Sequence, residues 1–274
     1  MNRNFVIAIV AALLAAAGAG FALSRHKPKP PADTPTVLAS DQTAQRLYEQ
    51  AKQLRQENNI EGAKKIYQDI LEKSPDYAQA ETVQRDLEEV NMAAILQNRP
   101  SPYAAMHDVQ PGDTLGALAK KYGTTVDLIK KMNNLSGNVI RVGQKLRVWT
   151  GAFHIFVDKS QNILRLLVGD EVFKTYRVST GANNSTPVGE FTIINKLENP
   201  VWFNKGIVVP PESPANVLGA RWLGFNIDGY GIHGTVEPDK IGQQVTAGCV
   251  RMRNEDVTEL YTLIPTGTKV KIQD

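Results

Sequence analysis

Between residues 153 and 272 turn residues cut the chain into short runs, and this limits the fold more than any other feature. Residues 153–157 (Phe-His-Ile-Phe-Val) alternate as a strand does, and residues 158–162 then form a turn. Residues 163–168 read as the return strand, Gly169-Asp170 as another turn and residues 171–179 as a third strand. Thr186-Pro187 turns into a strand that reaches Ile194, and residues 224–228 form a further short run. The spacing predicts one short helix, about 254–263, before a turn at 265–268 and a last strand at 269–272. Many short strands separated by turns predict a mainly-β domain over residues 151–274.

The preceding segments follow other periods. Ala44, Leu47, Ala51 and Leu54 recur at helical spacing, then Ala63, Ile66, Tyr67, Ile70 and Leu71. Asn58-Asn59 separates these runs, Ser74-Pro75 ends the second, and a third helix is predicted over 77–96. Ala63, Tyr67, Ile70 and Pro75 resemble the small, aromatic, apolar and proline positions of one tetratricopeptide repeat. Residues 41–97 are therefore predicted as a short TPR-like α-helical segment, either a surface for a protein partner or a spacer. A linker is expected at 98–106, which opens Asn98-Arg99-Pro100-Ser101-Pro102.

Residues 107–149 are predicted as a compact β-α-α-β unit. His107-Asp108-Val109 starts a strand, and Pro111-Gly112-Asp113 turns into a helix capped by Asp113 or Thr114. Leu115, Leu118, Ala119 and Tyr122 form its apolar face, and Gly123 ends it. A second helix ends near Asn133-Asn134, and residues 139–148 return as the second strand.

The N-terminus carries nineteen uncharged residues, 5–23, behind Asn2-Arg3-Asn4. The run fits a secretory signal, with Ala17-Gly18-Ala19 as a cleavage site, but it exceeds the usual apolar core of one. It also suffices to span a bilayer. Residues 1–24 are therefore read as a signal or membrane anchor, with the anchor favoured, and residues 25–40 as a Pro-rich linker. Basic residues flank the run on both sides, so orientation must follow from the later domains. The chain has 31 basic and 28 acidic residues, a net charge of +3, which gives no basis for a nucleic-acid partner.

Cys249 is the only cysteine, so no internal disulfide can form. It lies in Thr246-Ala247-Gly248-Cys249-Val250-Arg251-Met252, sixteen residues after His233 in Gly231-Ile232-His233-Gly234-Thr235. A thiolate is the nucleophilic form of cysteine, and an adjacent histidine can accept the thiol proton. The four histidines have no metal-ligand spacing, so neither a metal nor another cofactor is expected.

These motifs carry two resemblances. Thr186-Pro187-Val188-Gly189-Glu190-Phe191, the His233 motif and the Cys249 motif, in that order, resemble the YkuD-type catalytic domain of the L,D-transpeptidases. Gly112-Asp113-Thr114-Leu115 with Val142-Gly143-Gln144-Lys145-Leu146 resemble the LysM module, which binds N-acetylglucosamine-containing glycans. The first resemblance implies Cys249 as nucleophile, His233 as its base, the Gly234 carbonyl orienting the imidazole, and amides near Gly248 and Cys249 holding the oxyanion. It implies Arg251 and Thr246 at the catalytic loop or substrate; Tyr230 and Trp202 are read either as lining the cleft or as core packing. Ala247 departs from the histidine or asparagine of many members, and residues 199–221 are a candidate lid. The second implies a glycan groove with Gly112, Asp113, Thr114 and Leu115 facing Asn138, Val139 and Ile140. Together they imply an envelope enzyme outside the cytoplasmic membrane, acting on peptidoglycan strands and stem peptides. The reaction implied is 3→3 cross-linking through a cysteine thioester. Carboxypeptidase or lipoprotein-anchoring chemistry on the same nucleophile, and a non-enzymatic wall-binding scaffold, are the alternatives.

Overall fold

The computed structural model describes residues 35–96, 101–204 and 206–274. The apolar N-terminal run, and all of the expected linker before Pro35, lie outside the described residues. Among the described residues no helix is long and apolar enough to cross a membrane. The chain forms two compact units, Met1–Ala93 and Ala94–Asp274.

In the first unit α1 (Pro35–Gln56) and α2 (Ile60–Lys73) are followed by α3 (Ala80–Leu96), which runs past the unit boundary. The helical spacing places Ala44, Ala51, Ala63, Tyr67, Ile70 and Val83 in one buried cluster. Asn58 takes a left-handed φ of 67° between the first two helices, and Asn59 then caps α2 by accepting from the Gly62 N–H at 3.0 Å. Two boundaries differ from expectation. Helix α1 starts at Pro35, inside the expected linker, because proline is tolerated in a helix's first turn. Helix α3 starts at Ala80, since Tyr77 is spent on turns that satisfy the Ser74 and Tyr77 carbonyls.

The second unit opens with β1 (Ala104–Asp108), α4 (Leu115–Tyr122), α5 (Val126–Met132) and β2 (Lys145–Trp149). The two strands pair antiparallel, from Ala104 opposite Trp149 to Asp108 opposite Lys145. Thr114 caps α4 through the Ala117 N–H at 3.1 Å, and Gly123 ends it at φ 65°. The second strand is shorter than the predicted 139–148. Gly143, at φ 81°, and the Gln144-to-Arg141 turn bond end the preceding loop only at residue 144.

The rest is a mainly-β curled sheet. Its elements are β3 (Phe153–Asp158), β4 (Ile163–Val168), β5 (Glu171–Arg177), β6 (Thr180–Gly181), β7 (Gly189–Glu198), β8 (Trp202–Asn204) and β9 (Ile207–Val209). They continue with β10 (Arg221–Phe225), β11 (Gly231–His233), β12 (Gln244–Thr246), β13 (Val250–Arg251), α6 (Asn254–Leu263) and β14 (Lys269–Gln273). Eight strands form one sheet in the order β13-β11-β10-β7-β14-β3-β4-β5. Phe153, Ile155 and Val157 of β3, with Leu164, Leu166 and Val168 of β4, point into the core, as period-2 alternation requires. Val257, Leu260 and Leu263 are the buried face of α6. Stacking of Trp149 on Phe153, with ring centroids 5.5 Å apart, fixes the junction between β2 and β3.

Candidate active site

Topology brings the histidine and cysteine motifs together. Strands β11 and β13 are parallel neighbours at one end of the large sheet, with Ile232 opposite Val250 and His233 opposite Arg251. Cys249 directly precedes β13. The His233 carbonyl also accepts from the Met252 N–H at 2.8 Å, which ties the two motifs through their backbones.

A tight turn presents the thiol. The Thr246 hydroxyl donates to the Cys249 carbonyl at 2.7 Å and accepts from the Gly248 N–H at 3.1 Å. Gly248 has φ 136°, and a Cβ there would stand 2.7 Å from Cε1 of Tyr230. Only glycine suits both the backbone angle and the packing. Tyr230 thus supports the turn from behind. The Gly248 N–H, expected among the oxyanion donors, is instead spent on Thr246.

His233 is buried, and its Nδ1 lies 2.7 Å from the Gly234 carbonyl. A carbonyl only accepts, so Nδ1 carries the hydrogen and Nε2 keeps its lone pair. The Leu218 carbonyl also faces the ring. Trp222 stacks on the imidazole, with centroids 6.1 Å apart and planes at 21°, and its Nε1–H donates to Asn195 Oδ1 at 3.0 Å. Burial pulls the imidazole pKa down to about 4, the Gly234 bond opposes this, and the Arg251 charge adds to it.

Burial pushes the Cys249 thiol up, against the Gly231 N–H and the Arg251 charge, which favour the thiolate. Both shifts favour uncharged groups at neutral pH: a thiol, which contacts the Gly229 carbonyl at 3.4 Å, and a neutral imidazole. Arg251 Nη1 donates to Glu237 Oε2 at 3.0 Å, and its main chain exchanges two 2.8 Å bonds with Ser179. These contacts hold Arg251 as a brace under the loop, while its side chain reaches the cavity wall.

That cavity measures about 550 Å³. Its lining includes Cys249, His233, Thr246, Ala247, Arg251 and Trp222. Pro200, Val201, Trp202, Phe203 and Leu218 line it too, so the candidate lid segment does border the site. Its hairpin β8–β9 leaves Phe203, Ile207 and Val208 exposed.

A family model described as the L,D-transpeptidase catalytic domain matches residues 152–272, and one for the LysM domain matches residues 107–149. The putative L,D-transpeptidase YkuD of Bacillus licheniformis is 35% identical over 175 residues, 61% of this chain and 98% of that protein. The chain belongs to the L,D-transpeptidase family. The putative L,D-transpeptidase YkuD of Bacillus subtilis is 34% identical over 173 residues, 61% of this chain and 97% of that protein. Among solved structures, the catalytic domain of the Enterococcus faecium L,D-transpeptidase matches at 20% identity with a TM-score of 0.38, covering 45% of this chain and 98% of that one. An L,D-transpeptidase from Mycobacterium smegmatis matches at 20% identity with a TM-score of 0.39, and the chain spans 65% of its length.

Two parts of this L,D-transpeptidase site were not legible in its motifs. Trp222 lies in a run with no distinguishing pattern. Asn254 reads in sequence only as the start of a helix, yet its carboxamide reaches the strand loops beside His233. In the LysM module, Gly112 (φ 89°) and Thr114 are exposed and Asp113 is half-buried. Asp113 Oδ2 accepts from the Gln110 N–H at 2.7 Å and contacts His107 Nε2 at 2.8 Å. Leu115, expected at the groove, is a core side chain, because it is the first inward position of α4. Val139 is 82% exposed and Asn138 is exposed, whereas Ile140 packs on the core. A surface hollow there is lined by Leu135, Val139, Arg141, Val142, Gly143 and Gln144. It includes Val139 from the expected set and none of residues 112–115.

Proposed function

We propose that this L,D-transpeptidase domain, residues 151–274, forms 3→3 peptidoglycan cross-links through a thioester on Cys249, with the LysM module, residues 107–149, held on the glycan strand. The observation that carries this reading is the His233 Nδ1–H donated to the Gly234 carbonyl, which leaves the lone pair on Nε2 of a ring that lines the same cavity as Cys249.

The donor is a tetrapeptide stem. His233 Nε2 takes the thiol proton as Cys249 Sγ attacks the carbonyl of the third stem residue, so no resting thiolate is needed. The Cys249 N–H serves as a donor to the oxyanion, a role typically worth about 3 kcal/mol. Collapse breaks the peptide bond, the imidazolium gives its proton to the departing D-alanine amine, and a thioester remains. The side-chain amine of a second stem then attacks. His233 takes the amine proton and returns it to the departing sulfur. Arg251 braces the loop, and Thr246 holds it. Tethering by LysM raises the local concentration of stems. The wall-binding surface combines the exposed Gly112–Thr114 turn with the loop at Asn138 and Val139. Residues 1–24 anchor the chain in the cytoplasmic membrane, so that both modules act outside it.

The test is intact mass of the full chain after incubation with a carbapenem, beside Cys249→Ala. The expected result is one adduct, absent from the variant. No adduct on folded protein would overturn the covalent reading. Muropeptide analysis with tetrapeptide substrate then separates cross-linked dimers from the tripeptides of a carboxypeptidase and from lipoprotein-linked stems.

A further inference from the structure

We propose that Asn254 is a positioning residue that holds the His233 imidazole by clamping the two backbone segments whose carbonyls face it. The inference rests on the reading of His233 as the base.

Asn254 is the first residue of α6, directly after the N-cap Arg253, where its side chain could turn back onto its own helix. It does not. Its Oδ1 accepts from the Ala220 N–H and the Thr235 N–H, each at 3.0 Å, and its Nδ2 donates to the Thr235 carbonyl at 2.8 Å. All three bonds go to backbone outside the helix. Thr235 follows Gly234, whose carbonyl takes the His233 Nδ1–H. Ala220 lies two residues after Leu218, whose carbonyl faces the same ring. One carboxamide therefore spans both segments that hold the imidazole.

The glycines around it support this role. A Cβ at Gly234 would collide with Asn254 Oδ1 and Ala220 N, and one at Gly219, with φ 64°, would collide with Asn254 Oδ1 and Thr235 N. Both segments are thus stripped of side chains where the carboxamide enters. Geometry also selects asparagine. Aspartate keeps the two acceptor bonds but, when ionised, sets a carboxylate against the Thr235 carbonyl, and alanine loses all three bonds. Misplacing a base by about 1 Å can lower a rate by about 100-fold.

The test compares the full wild-type chain with Asn254→Ala, Asn254→Asp and, as a control elsewhere on α6, Thr262→Val. Thr262 donates only to the Thr258 carbonyl, at 2.9 Å. Two readouts are used: the pH profile of the carbapenem acylation rate, and the His233 Nδ1–H resonance in histidine-labelled protein. Asn254→Ala is expected to acylate about 10- to 100-fold more slowly and to lose or shift the resonance while folded by circular dichroism. Asn254→Asp is expected to recover towards wild type as pH falls and its carboxyl regains a proton to donate. Thr262→Val should stay within about 2-fold of wild type. Wild-type rate and an unmoved resonance in Asn254→Ala would overturn the proposal. A wild-type chain that resists acylation would overturn the functional reading instead, and the resonance alone would then decide the role of Asn254.

Discussion

The LysM module and the catalytic sheet each bury one histidine, and the two side chains are held in opposite ways. His107 is 7% exposed and spends both ring nitrogens on side chains: Nδ1 meets the Tyr122 hydroxyl at 2.9 Å and Nε2 meets Asp113 at 2.8 Å. It links β1, the following turn and α4, and nothing is left for a substrate. His233 is 3% exposed and spends one nitrogen on a backbone carbonyl, beside a cavity. At His233 the carbonyl fixes the tautomer and burial keeps the ring neutral. Burial alone therefore does not separate a histidine inside a core from one that lines a cavity. What separates them is that side chains take both ring nitrogens of His107, whereas backbone carbonyls hold the His233 ring where it lines a cavity.

The sharpest way to break this contrast is to remove each ring in turn. His233→Ala is expected to slow carbapenem acylation of Cys249 by about 10²- to 10⁴-fold, the usual contribution of a general base. His107→Gln is expected to leave that rate within about 2-fold while lowering the melting temperature by a few degrees. Stopped-flow acylation and thermal melts on both variants check the pair. Equal loss of rate would mean that the two histidines are not functionally distinct.

Acid sensitivity sharpens the contrast further. In the unfolded chain the His233 imidazole titrates near 6.5, and in the fold near about 4. Between these values the unfolded chain binds a proton that the folded chain does not, so stability falls as pH drops from about 6.5 towards about 4 and levels off below. The full shift corresponds to about 3 kcal/mol. His233→Gln should remove this part of the acid loss, seen as a flatter melting temperature across that window. A variant curve parallel to wild type would show that the ring is not held neutral.

The contrast also explains what sequence could reveal. That the Cys249, His233 and Gly248 motifs belong together was legible, because an L,D-transpeptidase domain carries those residue types at fixed places along the chain. So was the alternation of β3 and β4, whose period follows directly from strand geometry. The contacts of Trp222, Asn195 and Asn254 around His233 were not, because they arise only when β7, β10 and α6 fold against β11. The Gly248 amide shows the converse. Its position in the motif made it an oxyanion donor, but Thr246, two residues away, takes its hydrogen. Leu115 was misplaced for a similar reason: a residue at a diagnostic motif position is as often there for the core as for the ligand.

Two of the threonines that accept amide hydrogens give the finest test. Thr114 and Thr246 each accept one N–H at 3.1 Å, the first at the start of α4 and the second within the catalytic turn. Thr114→Ala is expected to cost about 1 kcal/mol, the ordinary worth of a helix cap, without changing acylation. Thr246→Val removes two bonds, to the Gly248 N–H and to the Cys249 carbonyl, and lets the turn that presents the sulfur relax. It is expected to slow acylation about 10-fold, because a turn held at φ 136° depends on neighbours to keep it there. The freed Gly248 N–H could itself serve the oxyanion. In that case Thr246→Val would acylate at or above the wild-type rate, and the turn's value would lie in restraining that amide rather than in aiming the thiol.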